Sequence, residues 1–490
     1  MNKIKQEYLN TWQSAYKKLN QKQREAVDTI DGPVMVIAGP GTGKTQLLAV
    51  RIGNILLNTD VFPHNILCLT YTDAGATAMR ERLTSFIGPD AYNVNFFTFH
   101  AFCNSVISEN PQYFGDFKAL QLVSDIELVE ILRTVFDNLA DEHPLKKLKG
   151  NEYNELNKLK QLFTIMKQEE WTSVYIHSKY EEYKEFVLDP ERSNCIWRVN
   201  RDGFKKGDIN PRLVNEALSK YTKLLGASEE LESYKKIMTE RERFDFQDMI
   251  LWVIEKFQQH DELLAKYQER YQYILVDEYQ DTNGSQNNLL FLLSDFWEKP
   301  NLFIVGDDDQ SIFRFQGANM NSIMEFKDKY QPKEIVLTEN YRSSQVILDS
   351  ASKLIENNLD RLSHKYPDLD KNLTEHRSVK PEFSPEPQFL AYQNFVQEEA
   401  GIIEKIISLN NQGVAWKDIA IIYSKHRVVE DMVKYLTQKK IPLNVRKRVN
   451  VLYEPEVEKI LKILEYLSIE SKRPHYAEDI LFEILHYHFW

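Results

Sequence analysis

The stretch Val34-Met35-Val36-Ile37-Ala38-Gly39-Pro40-Gly41-Thr42-Gly43-Lys44-Thr45-Gln46-Leu47-Leu48 decides how the rest of the chain is read. It runs from a short apolar segment of buried-strand character, through a glycine loop, into leucines and Val50 at helical spacing. Strand, glycine loop and helix is the setting a phosphate-binding loop needs. Glycines let backbone N–H groups turn inward around phosphate oxygens, and the following helix adds its positive N-terminal end. The pattern assigns Ala38, Gly39, Pro40, Gly41, Thr42, Gly43 and Gln46 to the nucleotide cradle. Lys44 then reaches the β- and γ-phosphates, and the Thr45 hydroxyl ligates Mg²⁺. The first position is Ala38 where the usual pattern has glycine. The motif implies a nucleoside triphosphate.

A second apolar run, Tyr273-Ile274-Leu275-Val276, ends in Asp277-Glu278. In an α/β sheet, acids at a strand's carboxyl end sit at the ligand crevice beside such a loop. Asp277 is then a Mg²⁺ ligand, and Glu278 the group that polarises the water attacking the γ-phosphorus. An apolar run ending in Asp-Glu is common on a solvated strand end. The phosphate loop upstream selects the catalytic reading.

The 490 residues suffice for two to four domains. A hydrophobic content of 42% and a charged content of 27% are those of an ordinary globular protein. No apolar stretch approaches the roughly 18 residues a membrane helix needs, and the first residues lack the apolar core of a secretory signal. Cys68, Cys103 and Cys195 have no metal-ligand spacing and suit a reducing cytoplasm, as small buried hydrophobes. A net charge of −12 leaves any nucleic-acid reading to motifs rather than to bulk charge.

Strand-like runs at Val34–Ile37, Ile66–Thr70 and Val94–Phe97 alternate with helical segments, which implies a parallel sheet covered on both faces. Residues 106–243 turn polar with helical apolar spacing and read as an insertion; Tyr273–Val276 and Leu302–Val305 then resume the sheet. Ile335–Leu337, Gln388–Tyr392 and Ile419–Tyr423 read as strands of a second α/β segment, with Leu369–Pro387 an exposed connection.

The remaining motifs resemble, in order and through most of the chain, the UvrD/Rep/PcrA group of superfamily 1 DNA helicases. Leu19–Ala26 is similar to that group's Q motif, which makes Gln23 the adenine reader; an amide both donates and accepts. Thr70-Tyr71-Thr72-Asp73 and Phe97-Thr98-Phe99-His100-Ala101-Phe102 resemble elements that touch single-stranded DNA. They nominate Thr70, Tyr71, Thr98 and His100, with core packing the alternative for Tyr71 and the preferred reading of Phe97 and Phe102. Asp277–Asn283 and Val305–Phe313 match two further motifs, and Gln310 is implied to contact the γ-phosphate. Phe244–Met249 resembles a shorter family element. Asn340-Tyr341-Arg342-Ser343 matches the motif opening the family's second motor domain. Tyr341 is then implied to stack on adenine, and Arg342 to reach the γ-phosphate from across the cleft.

Where the family has Trp-Arg-Gly-Ala, this chain has Phe315-Gln316-Gly317-Ala318. Phe315 and Phe313 remain candidates for stacking on bases, while Gln316 lacks a positive charge. The resemblance implies an α/β fold of two RecA-like P-loop NTPase domains, parallel sheets with helices on both faces. The divisions are 1–105 and 244–332 for the first domain, 106–243 for its helical insertion, 333–470 for an incomplete second domain and 471–490 for the start of a second insertion. It implies an ATP-dependent 3′-to-5′ helicase acting on single-stranded or partly duplex DNA with ATP and Mg²⁺, cytoplasmic, with unidentified repair or replication partners. On this reading the chain is an N-terminal portion ending before the family's last motifs. A catalytically incomplete nucleotide-gated DNA-binding fragment and the motor half of a helicase–nuclease are the alternatives.

Overall fold

Six short strands build one sheet: Val34–Ala38 (β1), Ile66–Thr70 (β2), Asn95–Thr98 (β3), Tyr273–Val276 (β4), Leu302–Gly306 (β5) and Lys333–Leu337 (β6). They pair parallel in the order β3-β2-β4-β5-β1-β6. The structure is a computed structural model and describes residues 6–117, 120–146, 152–200, 203–311, 321–377, 386–445 and 455–487.

Alternate side chains of each strand enter separate cores, which is why the runs are apolar throughout. Val34, Val36, Ile66, Cys68, Leu275, Phe303 and Val305 pack under four helices: α1 (Gln6–Lys17), α2 (Gln21–Asp28), α3 (Lys44–Asn58) and α4 (Asp73–Ile87). Met35, Ile37, Leu67, Leu69, Ile274, Val276 and Ile304 pack under α5 (Phe99–Glu109) and the helices Phe246–Gln259 and Gly284–Ser294. Phe97 and Phe102 belong to this second core. Cys68 and Cys103 are buried, and burial pushes both thiols up.

Between β3 and β4, helices between Asp125 and Glu240 close a third core around Ile131, Leu132, Leu159, Phe163 and Tyr234. Lys167 is buried there and pairs with Asp245 at 2.8 Å and Asp248 at 2.7 Å, tying the helix Glu152–Gln168 to the start of Phe246–Gln259.

The chain divides into two compact units, Met1–Pro387 and Gln388–Trp490. The second has four helices among the described residues and a small core of Val429, Met432 and Leu436. No described helix is long and apolar enough to cross a membrane.

Two expectations change. Ile335–Leu337 does not open a second sheet; it lies beside β1, with Val36 opposite Ile335 and Ala38 opposite Leu337. The first sheet offers that run a strand to pair with and a core to enter. Gln388–Tyr392 and Ile419–Tyr423 are not strands, and among the described residues the second unit has no ladder. Most of their apolar side chains are exposed, Phe389 fully and Ile422 at 97%, while Tyr423 packs at the edge of the small core, so burial does little to hold them extended against a neighbour.

Candidate active site

The candidate residues gather at the carboxyl ends of the strands, where an open parallel sheet binds ligands. β1 runs into Gly39, and α3 begins after Gly43, whose left-handed conformation (φ 87°) caps the helix without a side-chain hydrogen bond. The first N–H groups of α3 are therefore left to a ligand. Lys44 and Thr45 open this helix, and Thr45 is exposed. Thr42 closes the loop by donating its hydroxyl to the Gly39 carbonyl at 2.8 Å. Gly41 (φ 70°) has no room for a side chain: a Cβ there would stand 2.7 Å from Asn340 Nδ2 and 2.8 Å from Arg342 Cβ.

Lys44 and Glu278, 234 positions apart, meet with Nζ donating to Oε2 at 2.6 Å. Glu278 reaches the lysine from a left-handed backbone (φ 49°, ψ 45°), which costs a residue with a side chain on the order of 1–3 kcal/mol. Gln280 stabilises the arrangement. Its amide nitrogen donates to Glu278 Oε2 at 2.9 Å and its oxygen accepts from Asp307 N at 2.9 Å, which joins the ends of β4 and β5.

Asp277 Oδ1 is buried with no hydrogen-bond partner. Burial first, then the Glu278 carboxylate, push its pKa from 3.8 up to about 7 against the pull of Lys44. An orphaned carboxylate oxygen beside the phosphate loop fits a divalent cation, and the exposed Thr45 hydroxyl is the other candidate ligand. Among the described residues no three His, Cys, Asp or Glu side chains form a metal cage. A magnesium ion sharing its shell with phosphates and water needs none.

Gln23 is buried, and its amide is committed at both ends. Its oxygen accepts from Asn20 N at 3.0 Å in a capping box, and its nitrogen donates to the Thr42 carbonyl at 2.8 Å. These bonds use one of its two N–H groups and one of its two oxygen lone pairs, so the amide keeps capacity for a base. It borders a cleft of about 740 Å³ with Gly43, Gln46, Arg82 and Tyr341. Gln46 accepts from the Arg82 guanidinium. Tyr341 is partly exposed, with its hydroxyl donating to Glu339 at 2.8 Å and accepting from Asn20 at 3.0 Å. Burial and then Glu339 push its pKa up to about 12.

Arg342 lies within Met1–Pro387, the compact unit that also holds the phosphate loop. The adjacent Tyr341 N–H donates to the Gly41 carbonyl at 2.9 Å, and the Asn340 amide donates to the Pro40 carbonyl. Asn340 also accepts from Arg342 N at 2.9 Å, which holds the backbone of the exposed Arg342 beside the loop. Gln310 ends the turn after β5, its amide donating to Asp307 Oδ2 at 2.7 Å.

The DNA-contact candidates are mixed. Thr70 is buried with its hydroxyl on the Thr72 carbonyl at 2.9 Å, and Thr98 caps α5 by accepting from Ala101 N at 3.2 Å. Tyr71 is partly exposed, its pKa raised by burial and by Asp281. His100 stacks edge-on against Phe246 at 5.8 Å; its Nε2 is buried without a partner, and burial holds its pKa down against Asp245. Phe313 and Phe315 lie outside the described residues.

Sequence reading missed Gln280 and Asn340, which stood inside the quoted motifs without a role. It also missed Arg361 and Lys371. Lys371 lay in the stretch expected to be an exposed connection, yet its side chain is tucked against Asp307, Asp308 and Asp309.

Two family models match. The UvrD/REP helicase N-terminal domain covers residues 19–331, and the UvrD-like helicase C-terminal domain covers residues 335–475. The second match corrects the expectation that the chain represents only an N-terminal portion. The chain is 29% identical over 418 residues to the ATP-dependent DNA helicase PcrA of Staphylococcus aureus, covering 84% of this chain and 49% of that protein. It is 28% identical over 457 residues to the PcrA of Leuconostoc citreum, covering 92% and 52%. The chain thus spans about half the length of the curated relatives it matches.

Proposed function

Because the chain belongs to the UvrD/REP helicase family, we propose that it is an ATP-driven motor that moves 3′ to 5′ along single-stranded DNA. The observation that carries the reading is the meeting of Lys44, Glu278 and the orphaned Asp277 oxygen at the mouth of the phosphate loop. The relatives' printed activity, ATP-dependent DNA helicase, agrees with it; the 3′-to-5′ polarity is carried over from the motif resemblance.

The Lys44–Glu278 contact is the resting arrangement. An arriving γ-phosphate competes for the Lys44 ammonium, and the exchange leaves the Glu278 carboxylate, still bonded to Gln280, as the acceptor for the proton of the attacking water. Lys44 and Arg342 then face the negative charge on the transferred phosphoryl group. Mg²⁺ held by Thr45 and Asp277 would neutralise β- and γ-phosphate oxygens. Tyr341, at the cleft with Gln23, is placed for a nucleobase to stack on. Since Asn340 and Tyr341 bond to Pro40 and Gly41, nucleotide contacts at the loop bear on the segment that carries Arg342.

The test is ATP hydrolysis by the chain with and without single-stranded DNA, beside Glu278→Gln. Turnover stimulated by DNA is expected, and the substitution should reduce it by about 10²–10⁴-fold, the usual contribution of a general base. Strand displacement should require a 3′ tail. Nucleotide binding with no turnover in either condition would overturn the motor reading, and displacement from 5′-tailed duplex alone would overturn the polarity.

A further inference from the structure

We propose that Lys371 is a positioning residue for ATP hydrolysis: it orients Asp307 and through it Gln310, and ties their turn to the phosphate loop. This rests on the ATPase reading above. The Lys371 side chain is only 6% exposed, and its ammonium donates to Asp307 Oδ1 at 3.0 Å, to Asp309 Oδ2 at 2.8 Å and to Asp308. Arg361 holds Asp309 in a two-pronged contact at 2.8 and 2.9 Å, and Leu362 N donates to Asp308 at 2.8 Å. Three carboxylates thus share two cations in a water-poor site, and each charge depends on the others staying in place.

The two oxygens of Asp307 have separate tasks. Oδ1 takes the lysine and Oδ2 takes the Gln310 amide at 2.7 Å. An ammonium fixed on one oxygen sets the plane of the carboxylate, and so where the other oxygen holds the glutamine. Two residues beyond the lysine, Leu373 lies against the phosphate loop, where a Cβ on Gly39 would stand 2.9 Å from its Cδ2. The strap continues beside Glu339-Asn340, with Thr374 N donating to Thr338 O at 2.8 Å and His376 N to Asn340 O at 2.7 Å. Asn340 in turn holds Pro40 and Arg342. One short segment therefore touches the Gln310 turn, the phosphate loop and the support of Arg342. A cavity of about 480 Å³, bordered by Gly39, Pro40, Gln310, Lys371 and Leu373, leaves the turn space to shift once the lysine is lost.

The test is Lys371→Met in the 490-residue chain, alone and with Asp308→Asn. The second change removes a buried charge left unbalanced, so it restores folding if the lysine is merely structural, but it does not return Asp307 to its orientation. The expected result is a kcat for ATP lowered by about 10²-fold, as for a catalytic group displaced by roughly 1 Å. KM should change little, and Asp308→Asn should not restore kcat. Amide exchange at residues 307–311, read without nucleotide, should speed up in both variants. Unchanged kcat, recovery in the double variant, or unchanged exchange at those amides each overturns the inference. If the unaltered chain shows no turnover, the ATPase reading fails instead, and the exchange experiment still decides whether Lys371 holds the turn.

Discussion

Val34–Ala38 and Ile419–Tyr423 are both five-residue apolar runs rich in β-branched residues, yet only the first is a strand. β1 has β5 on one side and β6 on the other, and every one of its side chains is buried. Ile419–Tyr423 has no ladder among the described residues, and Ile422 stands 97% exposed. The two runs have the same intrinsic preference. What separates them is a neighbouring strand that satisfies the backbone groups and a core for each face. Extended conformation in a parallel sheet is therefore a property of the partners as much as of the run.

Substitution gives the largest contrast. Leu275→Ala, in the centre of the sheet at 1% exposure, should cost about 2–5 kcal/mol. Ile422→Ala should stay within about 0.5 kcal/mol. Denaturant unfolding measures both, and amide exchange assigns each loss to its region. A large cost at Ile422 would mean that the run has a buried partner after all, and the comparison would collapse.

Two glycines sharpen the same contrast at the level of function. Gly41 (φ 70°) and Gly413 (φ 96°) both have left-handed backbones that disfavour a side chain. At Gly413 nothing stands within 4 Å of an added Cβ, whereas at Gly41 the new atom meets Asn340 and Arg342. Both alanine variants should lose about 1 kcal/mol or more from backbone strain. Only Gly41→Ala should also lose nucleotide affinity, read by titration with a fluorescent ATP analogue. Equal nucleotide binding by the two variants would mean that the loop does not need its close approach to Asn340.

These cases mark how far the sequence could be read. The apolar runs of β1, β2, β4 and β5 and the glycine loop are local signals, legible without knowing what lies beside them. The meeting of Lys44 and Glu278 across 234 positions followed from recognising two motifs of one site. The place of Ile335–Leu337 was misread because an apolar run does not say which sheet it joins. Lys371 and Arg361 were invisible for a related reason. A lysine in a charged, proline-containing stretch looks solvated until its acids, 62 to 64 positions upstream, are folded over it. Gln23 shows another limit: its motif suggests a base contact but not the bonds its amide also makes to Asn20 and Thr42.

The last contrast is electrostatic, and it also separates the two units. Carboxyl groups whose pKa burial raises, among them Asp277, Asp281 and Asp308, lie in Met1–Pro387. Asp281 makes the simplest case, because it stands apart from the cation ligands. Burial, and then Glu278, push it from 3.8 up to about 6. Between those values the folded chain keeps a proton that the unfolded chain has released, so the fold binds more protons and loses stability as pH rises. The stability this proton carries is complete below about pH 4 and is lost as pH climbs through about 6. Asp281→Asn removes the titration, so the decline in melting temperature from pH 4 to 7 should become shallower in the first unit. The melting of Gln388–Trp490, followed by amide exchange, should not respond. An unchanged slope would mean that the Asp281 carboxylate is already solvated in the fold, and that its unpartnered Oδ1 is reached by water.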